Sequence, residues 1–115
     1  MKKIVLVIGA IVCANIIIVS SCKKSKNIKC DGTNSTYNGN IKPIISANCT
    51  GSGCHGTGSG NGDFTTYAGL KPFLDNGKFK SEVLDKQSMP KGAAKLSDDE
   101  LSKITCWAEN SYPEN

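Results

Sequence analysis

The sequence predicts a small all-α domain, and three stretches carry that expectation. Residues 96–110 read as the clearest helix. Ser97 and Glu100 stand three apart, as in a capping box, and Leu96 and Leu101 occupy the flanking staple positions. Residues 40–48 read as a second helix. Asn40 can cap it, Pro43 is tolerated in a first turn, and Ile41, Ile44 and Ile45 share one face. Two shorter helical pieces are expected between these. Residues 63–74 carry Phe64, Tyr67, Leu70, Phe73 and Leu74 but are interrupted by Gly69 and Pro72. Residues 78–86 carry Phe79, Val83 and Leu84.

The front end reads differently. Lys2 and Lys3 precede an uncharged run over residues 4–19, which has the order of a secretory signal. The run closes in Val19-Ser20-Ser21-Cys22, which resembles a bacterial lipobox. Residues 1–21 are therefore expected to be a lipoprotein signal peptide, with Cys22 as the lipidated N-terminus. The other reading is an uncleaved anchor, near the short end of the 17–25 residues that a spanning helix needs. Both place the remaining chain outside the cytoplasm. Residues 22–39, rich in Lys, Ser, Asn, Thr and Gly, read as a flexible tether, and residues 40–115 as the folded domain.

Charge excludes one class of partner. All fourteen basic residues are Lys. Two lie in the signal, leaving twelve against ten acids, with no Arg and no basic face of the kind that nucleic acid requires. The cluster Lys23, Lys24, Lys26 and Lys29 reads as a solvated stretch after the anchor, with contact to anionic headgroups as the weaker alternative.

The densest chemistry lies in Cys49-Thr50-Gly51-Ser52-Gly53-Cys54-His55. Two thiols followed at once by an imidazole suit covalent haem: the sulfurs join the vinyl groups and the His reaches iron. The usual attachment signature has two residues between the cysteines; here there are four. His55 is the only histidine, and Met89 is the only methionine beyond the start. His on one face of haem iron and Met on the other is the ligation of cytochromes c. Glycines at 51, 53, 56, 58, 60 and 62 surround the site, and the widened spacer is expected to bulge out of the helix. A phosphate-cradling loop would need a Lys-Ser/Thr pair after a strand, which this stretch lacks.

From about residue 40 to residue 115 the chain resembles a small bacterial class I cytochrome c, of the lipoprotein type with a widened Cys-x4-Cys-His site. The resemblance rests on Ile41-Lys42-Pro43-Ile44-Ile45 leading into Cys49, Cys54 and His55, then on Met89-Pro90, then on the helix from Leu96 through Trp107. It implies a helical domain wrapped around one covalent haem c, with the first helix crossing the last. It also implies single-electron transfer between redox partner proteins, with His55 and Met89 as iron ligands and no catalysis.

The remaining cysteines fall into place on that reading. Cys13 goes with the signal, Cys22 with lipid, and Cys49 and Cys54 with haem. Cys30 and Cys106 are left as a candidate disulfide in an oxidising compartment. Two other functions compete. A structural zinc site would use Cys49, Cys54, His55 and Cys30 or Cys106, or the chain would be a disulfide-stapled binding module. Against zinc, adjacent side chains such as Cys54 and His55 converge poorly on one tetrahedral ion. Haem-based catalysis or gas binding would need Met89 off the iron.

Overall fold

The computed structural model of the protein describes residues 25–115. The expected signal peptide and the Cys22 lipid site lie outside the described residues. Helices and turns make up the described chain, which contains no strand. The helices are α1 (Lys42–Asn48), α2 (Tyr67–Asp75), α3 (Lys78–Lys80) and α4 (Asp98–Glu109). A π-helical turn, Tyr37–Ile41, leads into α1, and another, Ser81–Asp85, continues α3. Among the described residues no helix is long and apolar enough to cross a membrane.

The first helical element starts earlier than its sequence pattern suggests. Thr36, not Asn40, is the cap: its hydroxyl accepts from the Gly39 amide at 3.1 Å. Asn40 instead turns back, its side-chain oxygen accepting from the Thr36 amide at 3.0 Å. Burial decides the choice. Tyr37 is 2 % exposed, and its ring lies 6.2 Å from that of Trp107 and 5.3 Å from that of Tyr67. The free amides of this first turn find partners in the C-terminal tail, where Pro113 O accepts from Tyr37 N at 2.9 Å and Glu114 O from Asn38 N at 3.0 Å.

The expected tether is corrected as well, here by covalent and polar contacts. From Lys26 onward the chain lies against α4 instead of standing off it. A disulfide joins Cys30 to Cys106, with their Cα atoms 4.6 Å apart. Ser102 Oγ accepts from the Asp31 amide at 3.1 Å and donates to Lys29 O at 3.0 Å. The folded unit therefore begins well before residue 40.

α4 has the complete capping box: Ser97 Oγ accepts from Glu100 N, and the Glu100 carboxylate accepts from Ser97 N at 2.8 Å. Its buried set is Leu101, Ser102, Ile104, Cys106 and Trp107. The sequence pattern puts Trp107 on the flank of a face completed by Thr105 and Ala108. In the fold Trp107 is fully buried at the centre, edge-on to Phe79 at 6.0 Å and to Tyr112 at 5.0 Å, while Thr105 and Ala108 are half-buried. The reason is that Tyr37, Phe79 and Tyr112 close around its ring. α1 reaches the start of α4 through Asn48 Nδ2, which donates to Glu100 Oε1 at 3.0 Å.

α2 begins at Thr66, whose hydroxyl accepts from Gly69 N, and contains Pro72. It buries Leu70 and Leu74, while Phe79 and Val83 come from α3 and its π-turn. These join Ile41, Ile44, Ile45, Phe64 and Ile104 in one core, whose edge is left open beside residues 49–55 and 89–90.

Candidate haem site

Cys49 caps the C-terminus of α1, its amide donating to Ile45 O at 2.8 Å. The next residues leave the helix. Cys54 N donates to Gly51 O at 2.9 Å, and Gly53 adopts φ +74°, a backbone state natural to glycine. His55 N then donates to Cys49 O at 3.0 Å, closing the excursion on itself. The four-residue spacer is thus a compact bulge that returns His55 to the end of α1. Gly56 is needed for this closure, since a Cβ there would stand 3.0 Å from Thr50 O.

The imidazole of His55 is fixed on two sides. Its ring stacks on Phe64 with centroids 3.9 Å apart and planes 4° from parallel. Its Nδ1 lies 3.1 Å from Asn61 O. A carbonyl oxygen only accepts, so in the neutral ring this contact puts the proton on Nδ1 and leaves the Nε2 lone pair for a metal. A backbone carbonyl behind the ligating ring is a common orienting partner in metal sites. Asn61 also donates from Nδ2 to Gly53 O at 3.3 Å, and Ser59 Oγ donates to Cys54 O. Asn61 therefore ties the bulge to the His55 ring. Sequence reading missed it, because one Asn in a Gly-Ser loop carries no periodic or motif signal.

Cys49 and Cys54 are both free thiols, Cys54 exposed and Cys49 half-buried. Burial, helped by the neighbouring Cys54 and then Glu100, pushes the Cys49 thiol up to about 11, so it stays protonated at neutral pH. Cys49, Cys54 and His55 do not bring their ligand atoms together. Among the described residues such a cluster forms at Cys30, Asp31 and Cys106, whose sulfurs are already joined.

Met89 and Pro90 line the same cleft as the three residues of the motif. The cleft has a volume of about 900 Å³, with Phe64, Phe73, Phe79 and Val83 as apolar lining and Lys78, Glu82 and Lys91 among the polar residues at its border. That is near the upper end for small-molecule and cofactor sites, about 300–1,000 Å³. The Met89-Pro90 peptide is cis. Glu82 O accepts from both Ser88 N at 2.9 Å and Met89 N at 3.2 Å, which folds the Met loop back on the end of the π-turn.

The four residues singled out for haem, Cys49, Cys54, His55 and Met89, thus border one cavity, whereas Cys30 and Cys106 stand apart as a disulfide. Comparison of the chain with protein-family models, with curated proteins and with solved structures finds no match.

Proposed function

We propose that this protein is a monohaem c-type cytochrome that carries single electrons on the outer side of a bacterial membrane, as a small class I cytochrome c-like domain. The observation that carries the reading is the shared cleft. It is apolar, is bordered by two unpaired thiols and Met89, and contains a histidine whose Nδ1 is engaged by Asn61 O while Nε2 is free. Haem supplies an iron that takes up and gives back one electron.

Each residue has a defined task. Cys49 and Cys54 would hold a haem through thioethers, each thiol adding S–H across a vinyl C=C with no oxidant consumed. His55 Nε2 and the Met89 sulfur would be its iron ligands, and Asn61 holds the His55 ring. Phe64, Phe73 and Phe79 exclude water, which favours fast electron exchange with little solvent rearrangement. Lys78 and Lys91 offer charge to the propionates. The Cys30–Cys106 bond fits an oxidising compartment, as does attachment to the membrane through Cys22. The partners on this reading are redox proteins, donor and acceptor, and not nucleic acid.

The disulfide and the apolar cleft favour one second reading, a stapled extracytoplasmic module that binds a flat apolar ligand without covalent attachment. The same experiment decides between them. Protein made in a host competent for c-type maturation is denatured and extracted with organic solvent. Colour that stays with the polypeptide, with the pyridine spectrum of haem c, is expected. Met89→Ala should keep that haem and open the sixth position to added imidazole. Haem that extracts freely, or a colourless chain, overturns the cytochrome reading.

A further inference from the structure

Gln87 sits two residues before Met89 and has φ +49°, in the left-handed region that Gln seldom adopts. Residues in that state cost of order 1 kcal/mol or more unless their surroundings hold them. What holds Gln87 comes from the other end of the chain. The Lys26 amide donates to Gln87 Oε1 at 3.0 Å, and Gln87 Nε2 donates to Lys26 O at 2.7 Å. The side-chain amide pairs with both main-chain groups of one residue, as a neighbouring strand would. Lys95 Nζ adds a donor to Gln87 O.

Lys26 is itself anchored. Its ammonium meets Asp98 at 2.8 Å, and three residues later Lys29 O accepts from Ser102 Oγ. Cys30 then bonds to Cys106. A continuous set of contacts therefore runs from α4 through the N-terminal segment to Gln87. From there it passes to the Ser88 and Met89 amides, which share Glu82 O. We infer that Gln87 is a positioning residue for the Met89 sulfur, and that the N-terminal segment acts through it to keep that sulfur on the iron. The inference rests on the haem reading above and adds a device to it. Outer contacts that orient a metal ligand tune the metal as the ligand itself does.

The test uses the full-length holoprotein and three variants. Lys26→Pro deletes the donor to Gln87 Oε1 and keeps the carbonyl. Lys26→Ala keeps both main-chain groups and removes only the Asp98 ion pair. Gln87→Ala removes the clamp from the other side. Three readouts are taken: the sulfur-to-iron charge-transfer band of the ferric protein, the affinity for added imidazole, and hydrogen exchange at the Ser88 and Met89 amides. In Lys26→Pro and Gln87→Ala the band should weaken. Imidazole should bind about three- to ten-fold more tightly, the factor one lost hydrogen bond supplies. Exchange at the two amides should rise. Lys26→Ala, which loses an exposed ion pair but keeps both main-chain bonds to Gln87, should change all three far less than Lys26→Pro.

A parent that shows covalent haem and the band, with Lys26→Pro and Gln87→Ala indistinguishable from it, overturns the positioning role and leaves the cytochrome reading standing. A parent with covalent haem but no band removes Met89 from the iron and the inference with it. A parent without covalent haem overturns both.

Discussion

Replacing Cys30 by Ala tests whether the N-terminal segment belongs to the folded unit. The disulfide spans a sequence separation of 76. Closing a loop of that length removes about 15 cal/mol/K from the unfolded chain, or about 4.5 kcal/mol at room temperature. Measured bonds often deliver less, so the expected loss is about 2–4.5 kcal/mol. Cys30 is the better site to change, because it is half-buried whereas Cys106 is 2 % exposed and packs in the core. The assay is urea unfolding of parent and variant in the same haem state. With a slope of about 1.5 kcal/mol per molar urea, the midpoint should fall by about 1.5–3 M. The slope itself should rise, because the unlinked chain exposes more surface. A loss below about 1 kcal/mol, or two free thiols at positions 30 and 106 in the parent by mass, would refute the reasoning.

Two further predictions concern the scaffold. The Ser97 amide, with the Ser97 hydroxyl and the Asn48 amide, holds the Glu100 carboxyl below the ordinary glutamate value of 4.5, against the opposing effect of burial. Folding thus favours the charged form: the stabilisation is full above that value and is lost as pH falls through the lower folded-state pKa. Glu100→Gln should therefore cost about 1 kcal/mol at pH 7 and much less near pH 3, measured by urea unfolding; an equal gap at both would remove the carboxylate from the argument. Gly69→Ala would place a Cβ 2.0 Å from Asp63 O, forcing apart the turn that carries Phe64 beneath His55. A loss of about 1–3 kcal/mol is expected from such overpacking. Thermal unfolding should show it, while Gly60→Ala, with nothing within 4 Å of its Cβ, should stay near the parent.

Features that depend on neighbours in the chain were legible in the sequence. The capping box works between Ser97 and Glu100, three residues apart, and the structure has it complete. The stretch at residues 63–74 carries a helix as its aromatic pattern predicts, but Gly69 and Pro72, read as interruptions, lie inside an unbroken α2. The bulge at residues 49–55 draws on the glycine at 53, whose φ of +74° uses a backbone freedom that is a property of the residue itself. All-α class is of the same kind, since capping and apolar periodicity act within a few turns.

What involves distant residues was not legible. Thr36 displaces Asn40 as the cap because Tyr37 is buried against Trp107, on the last helix. Trp107 moves from flank to centre because Tyr37 and Phe79, from distant elements, close on its ring together with Tyr112. Asn61 O engages His55 through a loop whose path no pattern encodes, and Gln87 meets Lys26 across 61 residues. The sequence by itself determined the helical elements, the capping box of α4 and the residue types that border the cleft. Only the tertiary structure decided which surfaces those elements bury and which main-chain groups orient His55 and the Met89 loop. Burial and long-range hydrogen bonding are properties of the packed chain, and no local stretch contains them.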